Sequence, residues 1–186
     1  METQPEATFT CPWWLLGTFD NPLRKLVHDP IKILSPFVKA GDTVLDVGCG
    51  MGYFSLGLAH LVGEKGRVIA ADLQPQMLAG LSKRAKAAGL EGRIHPQLCQ
   101  ADKIGVSEPV DFALAFWMVH EVWQRREFLE EIYSLMKPGG KFLVVEPVIH
   151  VSGRDFERTV ALSQEIGFKT GDRPRVAASR AVLLKA

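Results

Sequence analysis

Cysteine is scarce in this chain: Cys11, Cys49 and Cys99 are the only three among 186 residues, and no two stand in C-x-x-C spacing. An odd and scattered set excludes a disulfide framework and a structural zinc knuckle. Charge of one sign is missing too, since 22 Lys and Arg face 21 Asp and Glu for a net charge of +1, with the basic residues dispersed. That balance leaves no electrostatic footprint for nucleic acid or a membrane surface, so neither is expected as a partner. The tract Lys83-Arg84-Ala85-Lys86 reads as the solvated face of a helix. No apolar run approaches the ~20 residues that cross a bilayer. The opening METQPEATFT has no basic start leading into an apolar core, so no signal peptide is expected and the location is expected to be cytoplasmic. What is present, 47% hydrophobic and 23% charged residues without repeats or low-complexity tracts, suits a single domain over residues 1–186 with a sizeable core.

Residues 1–10 are polar and read as disordered, and residues 11–40 read as a helical leader before a core at 41–186. Asn21-Pro22 and Asp29-Pro30 each join an N-cap to a proline at the first helical position, which predicts two short helices. Leu23, Leu26 and Val27, then Ile31, Leu34 and Phe37, supply their expected apolar faces. Two roles fit Trp13 and Trp14: capping the core, or an aromatic lid over a binding pocket.

The core begins with VLDVGCGMGYFS at 44–55. Val44, Leu45 and Val47 run together without alternation, as in a strand buried on both faces of a parallel sheet. Gly48, Gly50 and Gly52 then permit a tight turn and a close backbone approach, Cys49 lies inside that turn, and Tyr53 opens a helix. A second strand, Arg67 to Ala71, ends at Asp72, 20 residues beyond Gly52, where a doubly wound fold sets an acid against ribose hydroxyls. Leu73 and Met77 follow closely enough to flank a purine ring, although core packing also fits Met77. After a third strand at Arg93 to Leu98, Asp102 can accept a hydrogen bond from an adenine amino group or cap the next turn. Val110 to Phe116 forms a fourth strand and runs into Trp117-Met118-Val119-His120-Glu121. A helix over 124–136 is stopped by Lys137-Pro138-Gly139-Gly140, and a fifth strand spans Lys141 to Glu146. Ser152 to Asp155 reads as a capping box opening a helix to Ile166, and two β-like runs joined at Gly171-Asp172-Arg173-Pro174 make an antiparallel hairpin.

Taken together, VLDVGCGMGYFS, VIAADL, the QAD tripeptide, FALAFWMVHEV, MKPGG and the terminal EIGF hairpin resemble the successive motifs of class I S-adenosylmethionine-dependent methyltransferases, over roughly residues 30 to 186. The resemblance implies an α/β fold: a Rossmann-like, doubly wound, seven-stranded sheet of order 3-2-1-4-5-7-6, strand 7 antiparallel, with helices on both faces. It implies S-adenosylmethionine as cofactor, with Asp46, Gly48 and Gly50 around its methionine part, Asp72 on the ribose, Asp102 near the adenine and Phe116 beside it. Within the family the chain is most similar to enzymes that act on quinones and other small metabolites, but it is short and carries no large substrate-recognition insertion.

Elementary chemistry separates this reading from a nicotinamide dehydrogenase. The dinucleotide fingerprint needs a third glycine three residues after the second, and Tyr53 stands there instead, followed by Phe54. Asp46 would repel a pyrophosphate but suits ammonium and sulfonium charges. Methyl transfer from a sulfonium gains mostly from proximity and orientation, so a general base is optional. His120 is the candidate to orient or deprotonate a nucleophile; a backbone bond from His120 with Glu121 capping the next helix fits as well. Trp117, Glu121, Glu146 and His150, at the ends of strands four and five, are candidates to line a small-molecule site with Trp13 and Trp14. No metal is expected, because Pro147 and two apolar residues between Glu146 and His150 do not oblige those side chains to converge. His28, His60 and His95 read as surface or helix-face residues. The alternative to an enzyme is a non-catalytic cofactor-binding or scaffold domain of the same fold.

Overall fold

The computed structural model describes residues 27–186. The polar stretch 1–10, the helix expected at Asn21-Pro22, and Trp13 and Trp14 therefore lie outside the described residues. Helix α1 (Pro30–Leu34) starts as its sequence predicts: the Asp29 Oδ1 accepts from the N–H groups of Ile31 at 3.0 Å and Lys32 at 3.3 Å. Leu34 is fully buried, but Ile31 points outward at 38% exposure, so the expected apolar face narrows to Leu34 with the half-buried Ile33 and Phe37. The buried residues of this short helix are Pro30 at its start and Leu34 at its end.

Strands β1 (Thr43–Val47), β2 (Arg67–Asp72), β3 (Ile94–Leu98), β4 (Val110–Phe116), β5 (Met136–Pro147), β6 (Lys169–Thr170) and β7 (Ser179–Lys185) form one sheet of order β3-β2-β1-β4-β5-β7-β6. The first five pair in parallel, and β7 runs antiparallel to both neighbours. Helices α2 (Tyr53–Val62), α3 (Pro75–Ala87), α4 (Arg125–Leu135) and α5 (Gly153–Ile166) complete the alternation. The pleat divides the core in two. Val44, Phe112, Leu114 and Leu143 pack with Leu34, Leu58 of α2 and Leu81 of α3 on one face, while Leu45, Ile69, Ala113 and Phe142 pack with Phe128 and Ile132 of α4 and Phe156 and Val160 of α5 on the other. All five β1 residues are buried, as a central parallel strand covered on both faces requires. Among the described residues no helix is long and apolar enough to cross a membrane.

The sheet departs from expectation in β5. The Lys137-Pro138-Gly139-Gly140 run ends α4 but is then drawn into the strand, because the chain terminus pairs with it: Gly139 N–H donates to Ala186 O and Ala186 N–H to Gly140 O. The left-handed φ of +78° at Gly139 accommodates the bend. At the other end, α5 has the expected cap, with Ser152 Oγ accepting from Asp155 N–H at 3.1 Å.

Parallel pairing sets the carboxyl ends of β1, β2, β4 and β5 along one edge, so Val47, Asp72, Phe116 and Glu146 end near a common level. Gly52 caps α2 there with φ +82°, and a Cβ on it would sit 2.0 Å from Leu81 Cδ1. Gly52→Ala should thus combine a left-handed penalty with overpacking, and denaturant unfolding should show a loss of about 1–3 kcal/mol.

Candidate active site

The turn after β1 is held by its neighbour strand. Gly48 (φ +68°) and Cys49 both donate backbone N–H bonds to Ala71 O, at 2.8 and 3.1 Å, and Gly50 (φ +54°) donates to Asp72 Oδ2 at 2.9 Å. The other Asp72 oxygen accepts from Gln74 N–H at 2.9 Å. Burial raises the Asp72 pKa above the ordinary carboxylate range, and the backbone N–H groups oppose that shift by stabilising the anion. Asp46, 2% exposed, accepts a 2.5 Å bond from Ser55 Oγ of α2. Thus strand, turn and helix together fix two acids facing one space.

That space is a cavity of about 1400 Å³ along the carboxyl edge. One arm, over β1 to β3, is lined by Asp46, Gly48, Cys49, Gly50, Asp72, Leu73, Met77 and Asp102. Leu73 is exposed and Met77 is 1% exposed, so the first projects over the cleft while the second forms its wall. The other arm, over β4 and β5, is lined by Phe116, Trp117, His120, Glu121 and His150, with Trp123 at its rim. Thus the structure brings together every cofactor candidate and four residues of the second set. Burial drives the Cys49 thiol far above its ordinary pKa and pushes Cys99 up to about 12, the opposite of the lowered pKa that activates a cysteine nucleophile.

Glu146 lies behind the wall rather than on it. Its carboxylate is 2% exposed, with Oε1 accepting from Val119 N–H at 2.9 Å and Oε2 from His120 Nδ1–H at 2.5 Å. A carboxylate acceptor fixes the imidazole proton on Nδ1 and leaves Nε2 as the basic nitrogen. The same bond raises the His120 pKa, with burial opposing it. The His150 ring lies parallel to that of His120, with centroids 6.1 Å apart. Among the described residues, no group of three or more His, Cys, Asp or Glu is placed to hold a metal ion.

Trp117 takes φ +61°, a conformation uncommon for a bulky residue, held by its N–H on Val145 O at 2.7 Å and its Nε1–H on Ser179 Oγ at 2.9 Å. His28 is not at the surface as expected: it is 4% exposed, its Nε2–H donates to Ala177 O at 2.8 Å, and its ring meets Phe116 and Trp117 edge-on. His60 and His95 are exposed as expected. Sequence reasoning also missed Glu131 of α4, which lines the cavity; nothing in its helical spacing distinguishes it from a solvated glutamate.

Two buried acids beside a glycine turn fit a cationic cofactor, and Arg84 of α3, which reaches that turn, donates a guanidinium N–H to Met51 O at 3.1 Å. The comparisons agree: residues 44–140, just over half of the chain, match the methyltransferase domain family. The chain belongs to the S-adenosylmethionine-dependent methyltransferases. A demethylmenaquinone methyltransferase of Lactobacillus johnsonii is 34% identical over 134 residues, which are 70% of this chain and 52% of that relative. The ubiquinone/menaquinone biosynthesis C-methyltransferase UbiE of Vibrio vulnificus is 29% identical over 109 residues, 58% of this chain and 42% of its own length. The chain thus spans about half the length of the curated relatives it matches. In contrast, the crystal structure of a SAM-dependent methyltransferase from Aquifex aeolicus, 26% identical, superimposes with a TM-score of 0.83 over 95% of this chain and 99% of that one. The methyltransferase sheet order expected from the motifs is the one observed.

Pairing with Glu146 favours the protonated form of His120 in the fold. Its stability contribution is therefore full below the unfolded imidazole pKa of ~6.5 and is lost as pH rises through the higher folded value. A histidine Cε1 NMR titration should give His120 a midpoint above that value, and Glu146→Gln should move the midpoint down; an unmoved midpoint would break the assignment.

Proposed function

We propose that this protein transfers the methyl group of S-adenosylmethionine to a small, largely apolar acceptor carrying an ionisable hydroxyl, of the reduced-quinone class, with His120 as general base. The observation that carries this reading is the His120–Glu146 pair on the wall of the cavity, on the opposite arm from the glycine turn. The names of the quinone methyltransferase relatives support the acceptor class.

S-adenosylmethionine supplies an electrophilic methyl on a sulfonium leaving group. Asp46, Gly48, Cys49 and Gly50 surround its methionine part, Asp72 takes the ribose hydroxyls, Leu73 and Met77 flank the purine, and Asp102 receives the adenine amino group. A carboxylate has about four acceptor positions, so Asp72 can take a ribose hydroxyl beside its bonds from backbone amides such as those of Gly50 and Gln74. Phe116, its ring tilted 32° against that of Phe54 with centroids 4.1 Å apart, forms the wall where the two arms meet. Trp117, Glu121 and His150 line the acceptor side.

The proton moves from the acceptor hydroxyl to His120 Nε2, which raises the electron density of the ring; the ring carbon that gains the methyl then releases its own hydrogen as a proton to solvent, with S-adenosylhomocysteine as the leaving group. Glu146, buried and bonded to Nδ1–H, stabilises the imidazolium that forms. The near-neutral balance of the chain and its apolar aromatic wall favour such an acceptor over nucleic acid.

Asp72→Ala should weaken S-adenosylmethionine binding at least tenfold by calorimetry, and an unchanged affinity would remove Asp72 from the ribose. Methyl transfer from labelled cofactor should be tested against a panel of demethylated naphthoquinols and benzoquinols kept reduced. His120→Ala should lower kcat about 10²- to 10⁴-fold with cofactor affinity retained. In the wild type, kcat should rise with pH through the raised pKa of His120, because the neutral form is the base. Label appearing only in other acceptor classes would overturn the quinol assignment, and full activity in His120→Ala would overturn the base.

A further inference from the structure

The loop between β3 and β4 carries Asp102 at an apex held by three separate ties. Cys99 N–H donates to Asp72 O at 2.9 Å, which hangs the start of the loop on β2. Gln100 and Lys103 then pair across a short bridge, N–H to O at 2.8 Å one way and 3.3 Å the other, so Ala101 and Asp102 form an exposed tip on the cavity. The returning limb ends on one side chain. Glu131 Oε2 accepts from Ile104 N–H at 2.9 Å, while Oε1 accepts from Ile104 and Gly105 N–H, each at 3.1 Å.

Two consecutive backbone donors converge on one carboxylate because Gly105 adopts φ +76°, the alternation that turns neighbouring N–H groups into an anion-binding nest. Glu131 is carried on a packed helix: α4 buries Phe128, Leu129, Ile132 and Leu135 against the sheet, and the Ile104 side chain, 4% exposed, joins the same core. The position of the loop tip is thus inherited from the core through a side chain 27 residues along the chain.

We infer that Glu131 is a positioning residue for the nucleoside end of the cofactor, acting through the backbone of Ile104 and Gly105 to hold Asp102 at the adenine. This rests on the reading that Asp102 receives the adenine. Hydrogen bonds to a charged acceptor are among the stronger single contacts, so losing the clamp releases a tip that must then be ordered at the expense of cofactor binding. The methyl-transfer step, on the other arm, does not depend on it.

The test compares wild type with Glu131→Ala and Glu131→Gln by calorimetry with S-adenosylhomocysteine and by competition with adenosine. Glu131→Ala should raise the Kd of both about tenfold, equivalent to 1.4 kcal/mol, and should raise KM for S-adenosylmethionine while leaving kcat at saturation within twofold. Glu131→Gln keeps one acceptor oxygen and should lose no more than threefold, with the Tm of the cofactor-free protein within a few degrees of wild type. Equal Kd values in wild type and Glu131→Ala would overturn the role. So would a fall in kcat matching the loss in affinity, or Glu131→Gln as weak as Glu131→Ala. If Glu131→Ala does not fold, the Glu131→Gln variant decides, with a two- to threefold rise in both Kd values expected and none contradicting. Asp102→Ala separates this inference from its premise: unchanged adenosine binding there removes Asp102 from the adenine, whatever the clamp does.

Discussion

The 2.9 Å hydrogen bond from Gly50 N–H to Asp72 Oδ2 is the contact on which the rest of this edge depends. It joins the turn after β1 to the end of β2 at the point where both must face one ligand. Burying a carboxylate costs free energy unless donors meet it, and the Gly50 and Gln74 amides are those donors. The register Val47↔Ala71 makes the contact possible by ending the two strands level. A left-handed φ at Gly48 and Gly50 then turns the Gly48 amide onto Ala71 O and the Gly50 amide onto the acid.

The sheet order divides the chemistry into two arms. Strand order reverses between β1 and β4, which opens the crevice that doubly wound sheets use for ligands. On the β1–β3 side the wall presents backbone amides and acids; on the β4–β5 side it presents aromatic rings and an imidazole. Glu146 links the two halves of the second arm. It comes from β5, yet its oxygens hold Val119 and His120 of the turn after β4, so the imidazole is positioned by a neighbouring strand rather than by its own loop. The strained Trp117 backbone is stabilised in the same way, by Val145 of β5 and Ser179 of β7.

Much of this was legible in the residues. The unbroken apolar run at 44–47, the glycine turn and an acid 20 residues on reflect local rules, and these placed the first two strands and the turn between them, whereas the strand order followed from the resemblance to the methyltransferase family. What depended on partners distant in sequence was not legible. The extension of β5 through Pro138 and Gly139 arises from pairing with Ala186. Burial of His28 arises from Ala177, 149 positions away, and from rings at the end of β4. Glu146 was recognised as a functional type, but its place behind His120 follows from the parallel pairing of Phe116 with Val145, which no periodicity encodes. Glu131 looked like any solvated helical acid, since its partners are backbone amides and leave no trace in side-chain identity.

The central claim is that one cavity holds the nucleoside on the β1–β3 arm and presents the sulfur toward His120 on the other. A crystal structure of the complex with S-adenosylhomocysteine tests it directly. The account predicts both ribose hydroxyls within hydrogen-bond distance of Asp72, the adenine amino group at Asp102, and the sulfur facing the space between Phe116 and His120. A ribose bound away from Asp72, or a sulfur turned from the His120 arm, would contradict it.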